Sequence, residues 1–352
     1  MSIPLSYNED TKYERGCFFM KKTSVYEKLE KEIMNSDMPE AEKNKKLSKL
    51  LKARGQKINL MLVGATGCGK SSTINSLFNI SVAKVGTGAA PETADVECYQ
   101  LENLTIWDSP GLGDGVEKDK QYSIKIVNKL SETDENGTPL IDLVLVVVDA
   151  SSKDLGTTYD LINNVLLPSI TPENKDRIII AVNQADMAMK GTHWDAVNNC
   201  PDEVLNDFLN EKCKSIRERI KEATGYEFKV MHYCAGYTEE GGEQRPAYNL
   251  TKLLYQIVLS LPTEKRIAIA ENLNDNEDMW KYDDAEEDYI SNISQSFGET
   301  LWDNITDYAE KGVVYGGAIL GMPGAIVGSI VGGTAGAIAG LFKELFGSEE
   351  YV

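Results

Sequence analysis

The chain has few of the residues that build metal centres and disulfide frameworks. Its 352 residues include two histidines and six cysteines, and no two cysteines form a C-x-x-C pair. The sequence therefore argues against a structural zinc site and against a disulfide-rich fold. Positive charge is also scarce, since 36 lysines and arginines stand against 55 acidic residues and the net charge is -19. Broad contact with nucleic acid needs clustered positive charge, so this balance argues against it.

The N-terminal region has no apolar core of the kind that a secretory leader needs. Met1–Lys22 is polar and of mixed charge, which predicts that it is not a signal peptide. The expected compartment is the cytoplasm. A chain of this length can hold one full α/β domain and smaller additions.

One stretch, Gly64–Ser72, carries a phosphate-binding pattern. It reads Gly-Ala-Thr-Gly-Cys-Gly-Lys-Ser-Ser and matches G-x-x-x-x-G-K-[ST]. Glycines let the backbone wrap around phosphates, Lys70 supplies charge to the β- and γ-phosphates, and the Ser71 hydroxyl is a Mg²⁺ ligand. A predicted strand, Lys57–Val63, enters the loop, and a predicted helix, Ser72–Asn79, leaves it with its positive N-terminus facing the phosphates. The expected nucleotide contacts are Gly64, Ala65, Thr66, Gly67, Cys68, Gly69, Lys70, Ser71 and Ser72. Cys68 has two interpretations, a reactive thiolate among the loop amides or a small filler.

A second motif, Asp108-Ser-Pro-Gly111, follows the next predicted strands. Asp108 is placed to hold Mg²⁺ through water, and the Gly111 N–H to sense the γ-phosphate. The segment between the two motifs contains Thr93, which we predict as the switch threonine on Mg²⁺, with Thr87 as the alternative. The expected catalytic residues are Lys70, Thr93 and Gly111, and the expected metal ligands are Ser71, Thr93 and Asp108.

A third motif predicts that the base is guanine. Asn183-Gln184-Ala185-Asp186 follows a predicted strand, and the Asp186 carboxylate would accept hydrogen bonds from guanine N1 and N2, which adenine cannot offer. Gln184 stands where the usual pattern N-K-x-D has lysine, and its methylenes could pack along the base. Cys234-Ala235-Gly236 lies at the end of the last predicted strand and fits the loop that backs the base through main-chain N–H groups.

These motifs alternate with apolar runs typical of a parallel sheet with helices on both faces. The predicted strands are Asp95–Leu101 and Leu104–Asp108, which form a hairpin, then Ile141–Asp149, Arg177–Asn183 and Glu227–Cys234; Asp202–Ala223 and Tyr248–Leu261 are predicted helices.

Residues 57–265 resemble translation-factor-class GTPases of the Era/TrmE-like group, and more specifically the bacterial YfjP/YeeP-like GTPases and the fifty-S-ribosome-binding GTPases. The resemblance rests on four stretches, and the first is also similar to immunity-related GTPases and septins. It implies a Ras-like fold with a mostly parallel six-stranded sheet, GTP, GDP and Mg²⁺ as ligands, and hydrolysis of GTP to GDP and phosphate. The four stretches are Gly64–Ser72, Trp107–Asp114, Asn183–Asp186 and the helix Tyr248–Arg266.

Two departures from these families bear on hydrolysis. Leu112 stands where Ras-like enzymes carry the glutamine that orients the attacking water, so the missing group must come from another loop, a partner or a second copy. Gly67 stands where some relatives carry the asparagine that recruits K⁺. We therefore expect slow turnover that assembly or a partner accelerates.

The flanking regions are predicted to be helical. Residues 1–56 form an N-terminal extension whose helices break at Asn35–Pro39, and its basic stretch Lys43–Lys57 is either a solvated helix face packed on the next domain or a contact to anionic lipid or RNA. Residues 266–311 form an acidic, amphipathic helical segment whose charges we expect to face solvent.

Gly312–Phe342 contains no charged residue, and residues 343–352 follow it as a short tail. Its glycines recur every fourth position at Gly324, Gly328, Gly332, Gly336 and Gly340, a spacing that lets helices approach closely. Either Gly324–Phe342 inserts in a bilayer, or Gly312–Met322 and Gly324–Phe342 fold as a helical hairpin about Pro323 that is buried against the protein or another copy.

The function expected from the sequence is a GTPase switch that couples nucleotide state to membrane association or self-assembly. Its partners would be guanine nucleotide, membrane lipid and further copies of the chain. The protein would associate peripherally with the inner membrane or insert into it conditionally. Two alternatives stay open: a ribosome- or RNA-associated GTPase, and a GTP-dependent scaffold with negligible hydrolysis.

Overall fold

The computed structural model describes residues 25–36, 39–78, 96–101, 103–170, 172–237, 245–274, 276–293 and 295–297. The strands are β1 Ile58–Gly64, β2 Glu97–Gln100, β3 Leu104–Asp108, β4 Leu143–Asp149, β5 Ile178–Asn183, β6 Trp194–Asp195, β7 Cys200–Pro201 and β8 Lys229–His232. Six of them form one sheet in the order β2-β3-β1-β4-β5-β8, and β2 is the one antiparallel strand of this sheet. The α-helices are α1 Val25–Asn35, α2 Glu40–Arg54, α3 Lys70–Leu77, α4 Val116–Leu130, α5 Gly156–Asp160, α6 Leu167–Ser169, α7 Glu203–Thr224 and α8 Leu250–Ser260. A π-helical turn, Leu161–Leu166, joins α5 to α6, and 3₁₀ segments cover Pro172–Arg177, Ala185–Gly191, Thr263–Asn272 and Glu277–Trp280.

The central strands are apolar on both faces because helices cover both sides of the sheet. Leu60 and Leu62 of β1 enter a cluster with α1, α2, α3 and α8. Met61 and Val63 enter the opposite cluster with α4, the α5–α6 segment and α7. The Ras-like fold and the alternation predicted from the sequence are therefore confirmed.

The predicted strands are all present, with small differences at their ends. The hairpin is antiparallel, with Glu97 opposite Asp108. The predicted strand Ile141–Asp149 begins at Leu143 in the structure. The Asp142 side chain just before it makes two contacts outside this strand. One oxygen of its carboxylate accepts from the Asn59 N–H at 2.9 Å, and the other pairs with Lys265 at 2.7 Å.

The N-terminal extension is a pair of helices packed on the sheet. Tyr26 and Ile33 of α1 are buried, as are Leu50 and Ala53 of α2. Part of the basic stretch is used inside this pair, since Lys46 is buried and contacts Glu42 at 3.3 Å. The structure thus supports the interpretation of this stretch as a helix packed on the next domain.

The residues after α8 pack into the same core. Ile267, Ile269 and Trp280 are buried, and residues 289–293 and 295–297 are helical and bury Ile293 and Phe297. The expectation that the acidic run faces solvent is wrong at Asp284. Its side chain is 14% exposed, because it pairs with Lys252 of α8 at 2.8 Å.

Several predictions lie outside the described residues: Thr87, Thr93, the uncharged segment Gly312–Phe342 and the flanking stretches 1–22 and 343–352. Within the part that the structure describes, none of the helices combines the length and the apolar character needed to cross a bilayer.

Candidate functional site

The three predicted motifs meet at the carboxyl edge of the parallel strands, where ligands bind in open α/β sheets. The phosphate loop follows β1 and ends at α3, which begins at Lys70 rather than at Ser72. The Lys70 side chain is 8% exposed, and its Nζ lies 3.4 Å from the Gly64 oxygen and 3.3 Å from the Ala65 oxygen. The ammonium is therefore directed into the loop, beside the helix N-terminus that favours an anion.

Ser71 and Asp108, two of the predicted metal ligands, contact each other directly. The Ser71 hydroxyl donates to Asp108 Oδ2 at 3.0 Å. Asp108 Oδ1 is buried and has no hydrogen-bond donor among the described residues. Burial raises the pKa of Asp108, while the Lys70 ammonium and the Ser71 hydroxyl oppose that rise. A hydroxyl beside a carboxylate with an unsatisfied oxygen is a hard-oxygen set that fits Mg²⁺.

The loop after β3 is attached to the phosphate loop. The Thr66 N–H donates to the Leu112 oxygen at 2.9 Å, and the Leu112 N–H donates to the Gly64 oxygen at 3.2 Å. Gly111 approaches Thr66 so closely that an added Cβ would lie 2.5 Å from the Thr66 Oγ1. The Leu112 side chain is buried in the apolar core, which agrees with its predicted inability to hold water.

Asn183 joins the base side of the site to the phosphate side. Its Nδ2 donates to the Cys68 oxygen at 3.0 Å, and its Oδ1 accepts from the Ala235 N–H at 3.0 Å. Gln184 has a φ of 60° and its Nε2 donates to the Gly67 oxygen at 2.8 Å. In this structure Gln184 therefore braces the phosphate loop.

Asp186 faces the thiol of Cys234, whose Sγ donates to Oδ1 at 3.0 Å. The Cys234 N–H donates to the Tyr248 oxygen at 2.9 Å, and the Ala235 N–H is taken by Asn183. Both N–H groups were among those predicted to contact the base, and both are hydrogen-bonded within the protein. A cavity of about 200 Å³ opens beside Asp186, lined also by Trp194, Gly236, Tyr237 and Arg245.

Cys68 fits the filler interpretation. Its side chain is buried in the apolar core, and burial raises the pKa of the thiol despite the nearby Lys70 ammonium. This environment does not favour a thiolate.

Comparison with known proteins agrees with this geometry. Residues 59–184 match the family described as 50S ribosome-binding GTPase. These residues form a P-loop GTPase domain. The match runs from β1 to Gln184 and so includes the phosphate loop, Asp108, Gly111 and Asn183.

Three relatives show how far the similarity reaches. The chain is 29% identical to the uncharacterized protein YfjP of Escherichia coli K12 over 131 residues, which is 36% of this chain and 41% of YfjP. It is 34% identical to human septin-8 over 77 residues, 20% of this chain and 16% of septin-8. Toc33 from Arabidopsis thaliana, solved with Mg²⁺ and GMPPNP, aligns with a TM-score of 0.40 and 14% identity, covering 69% of this chain and 98% of Toc33. The chain thus spans less than half of either sequence relative.

The GTPase domain also contains contacts that motif reasoning missed. The Tyr233 hydroxyl lies 2.6 Å from the Thr73 hydroxyl, which itself donates to the Gly69 oxygen at 2.7 Å. This pair ties the end of β8 to the first turn of α3. Thr66 donates to Asp114 Oδ1 at 3.0 Å. In the sequence, Asp114 was singled out only as the last residue of Trp107–Asp114, one of the stretches on which the family resemblance rests.

Proposed function

We propose that this protein is a guanine-nucleotide switch that binds GTP and hydrolyses it to GDP and phosphate. The observation that carries the proposal is the convergence of Ser71–Asp108 and Asn183–Asp186 on one sheet edge, joined through the Asn183 amide. The 57–265 stretch would be the GTPase domain, flanked by the helical extensions.

Each side chain has a defined part in this scheme. Lys70 would place positive charge on the β- and γ-phosphates, and the Gly111 N–H would donate to the γ-phosphate. Ser71 and Asp108 would hold Mg²⁺, with Thr93 as the proposed third ligand. The metal supplies neutralisation of the charge that develops on the phosphate oxygens.

Guanine would be selected by Asp186. Its carboxylate would accept hydrogen bonds from N1 and N2 of guanine, and adenine would leave it with the Cys234 thiol but without a donor from the base, in a partly enclosed site. Three of the other predicted residues would act indirectly. Gln184 and Asn183 hold the phosphate loop, and Cys234 holds the Asp186 carboxylate.

A chain of contacts supports coupling between this base site and the C-terminal region. The Cys234 and Tyr248 backbones pair with each other, and the next residue, Asn249, donates to Asp284 Oδ2 at 2.9 Å. Lys252 then pairs with Asp284 at 2.8 Å and with Glu286. The segment that leads to residue 298 is therefore attached to the loop that surrounds the base.

The output of the switch would be membrane association or self-assembly through Gly312–Phe342. Its support is the sequence alone: an uncharged segment with glycine at every fourth position favours close helix contacts in a bilayer or between copies. The basic face of the N-terminal helices gives less support to an RNA-binding role, because Lys46 is buried against Glu42.

Liposome flotation tests the coupling. Full-length protein and a truncation after Lys311 are floated with GDP and with a non-hydrolysable GTP analogue, and their oligomeric state is measured without lipid. Flotation or assembly that requires GTP and is lost on truncation is the expected result. Identical behaviour in both nucleotides would rule out the switch, and a truncation that behaves like the full chain would rule out the tail as its output.

A further inference from the structure

The structure supplies a group that can replace the missing glutamine. We propose that Asp114, held by Thr66, positions the water that attacks GTP; this assignment rests on the proposed function. The side chain at the usual position, Leu112, is 4% exposed and belongs to the apolar core. Hydrolysis by this domain therefore needs a polar group from a residue other than Leu112.

Thr66 brings Asp114 to the phosphate loop. The Thr66 hydroxyl donates to Asp114 Oδ1 at 3.0 Å. The same threonine lies against Gly111, whose N–H is the proposed γ-phosphate donor, and its own N–H is bonded to the Leu112 oxygen. The carboxylate is thus fixed beside the two backbone segments between which the γ-phosphate is expected.

The backbone around Asp114 is shaped to present this side chain. Gly113 has a φ of 106° and Gly115 a φ of 118°, which are conformations that residues with a Cβ rarely adopt. Asp119, in the first turn of α4, accepts from the Gly113 N–H at 2.9 Å and from the Asp114 N–H at 3.2 Å. The turn is therefore held at its backbone, and its carboxylate points back to the phosphate loop.

Asp114 also has a second carboxylate oxygen that can accept a hydrogen bond. Its Oδ2 is buried and receives no hydrogen bond from the residues that the structure describes. Of the neighbouring carboxylates, Asp119 Oδ1 accepts from two N–H groups, and Asp108, whose Oδ1 is also unpaired among the described residues, is assigned to the metal together with Ser71. Asp114 thus has one oxygen for Thr66 and one for the O–H of a water.

The chemical step follows from this arrangement. Asp114 accepts a hydrogen bond from the water, whose oxygen forms a bond to the γ-phosphorus. The bond between that phosphorus and the β–γ bridging oxygen breaks, and its electron pair stays on GDP. The water proton passes to the Asp114 carboxylate and from there to the released phosphate. Thr66 is a positioning residue, because it acts through Asp114.

The test compares Asp114→Asn with a matched control, Glu117→Gln, an exposed carboxylate three residues further along. We expect D114N to lower kcat about 100-fold or more, the usual size of a lost acid–base group, with GDP affinity within about threefold of wild type. D114N should also fail to form the complex with GDP and aluminium fluoride that mimics the transition state. E117Q should behave like wild type in all three measurements.

Thr66 is tested by rescue. Thr66→Ala should lower kcat about 10-fold and leave KM unchanged, and Thr66→Ser, which keeps the hydroxyl, should restore it. Asp114→Glu keeps the carboxylate and should retain more activity than D114N. It serves as the second variant if D114N binds GDP poorly because its turn is disturbed.

The outcomes separate the two proposals. Wild-type hydrolysis together with an unimpaired D114N would overturn the role of Asp114 and leave the proposed function intact. A T66S variant as impaired as T66A would overturn the role of the threonine hydroxyl. A wild-type protein that binds GTP and never hydrolyses it would overturn both the hydrolysis and this assignment.

Discussion

The sulfur of Cys234 donates a hydrogen bond to Oδ1 of Asp186 across 3.0 Å. Burial and the adjacent carboxylate raise the pKa of the thiol well above its ordinary value, so it stays protonated and can donate. One oxygen of the carboxylate that we propose reads the base is thereby fixed by Cys234, which follows β8, the strand beside β5 in the sheet.

Removing this thiol should weaken nucleotide binding without changing the preference for guanine. Cys234→Ala leaves Asp186 without its donor, and a hydrogen bond to a charged group is worth about 1.5–3 kcal/mol, so we expect at least about 10-fold weaker GDP binding. Cys234→Ser keeps a donor and should bind within about threefold of wild type. Cys213→Ala, a buried cysteine in α7, is the control for lost volume. Equal affinities for the alanine and serine variants in a titration with GDP would contradict this role.

Removing the negative charge of Asp186 should change which nucleotide base the protein prefers. Asp186→Asn replaces an acceptor by a donor, which fits the O2 carbonyl of xanthine and not the N2 amine of guanine. We expect GDP affinity to fall about 100-fold or more and xanthosine diphosphate affinity to rise, as competition against a fluorescent nucleotide would show. A D186N protein that still prefers guanine would place the base elsewhere.

The metal prediction concerns Ser71 and Asp108. Ser71→Ala and Asp108→Asn should each abolish most of the gain in GTP affinity that Mg²⁺ gives, because the first removes a hard-oxygen ligand and the second removes the negative charge proposed to hold the metal. Binding without Mg²⁺ should change much less. Titrations of a GTP analogue with Mg²⁺ and with EDTA measure the difference. An unchanged Mg²⁺ dependence in both variants would contradict the assignment of this pair.

The ion pair between Lys265 and Asp142 anchors the segment after α8 to the sheet. The two side chains are 23% and 3% exposed, so loss of Lys265 leaves a buried carboxylate with the Asn59 N–H alone. Lys265→Met should lower the free energy of unfolding by about 3 kcal/mol in urea titrations. Adding Asp142→Asn should recover part of that loss. A K265M variant as stable as wild type would show that the pair contributes nothing.

Asp283 gives the stability a dependence on pH. Burial raises its pKa from 3.8 to about 6, although the Thr251 hydroxyl and nearby N–H groups oppose the rise. The folded state then binds more protons than the unfolded state between these values, so the stability that Asp283 contributes is lost as the pH rises from about 4 to about 6. Asp283→Asn should remove this loss and be more stable than wild type at pH 7, on the order of 2 kcal/mol.

His232 acts in the opposite direction, since burial lowers its pKa to about 4 and its contribution is lost as the pH falls from 6.5 towards that value. The Asp283 effect is therefore measured as the difference between D283N and wild type at pH 4 and at pH 7. A difference that does not grow with pH would contradict it.

Motifs in the sequence were enough to predict the sheet and the centre of the site. Gly64–Ser72, Asp108 and Asn183 follow apolar strands, and parallel strands bring their carboxyl ends to one edge whatever the rest of the chain does. Contacts made by ordinary residue types could not be predicted this way. Cys234 and Asp186 are 48 residues apart, and no spacing rule links them.

The acidic run shows the same limit. Its charges suggested a solvated face, yet Asp284 pairs with a lysine 32 residues earlier. Burial of a charge depends on a partner that only the tertiary structure supplies. Leu112 in the sequence indicated that the water-orienting glutamine is missing. The Thr66–Asp114 contact joins the phosphate loop to the loop after β3, and only the tertiary structure shows it.

The central claim is tested most directly by nucleotide binding to the full-length protein with Mg²⁺. We expect GDP and GTP to bind at least about 100-fold more tightly than ADP and ATP, because adenine offers the Asp186 carboxylate neither the N1–H nor the N2 amine of guanine. The Lys70→Ala variant should lose affinity for GTP. Equal affinity for guanine and adenine nucleotides, or no binding of either, would contradict the account.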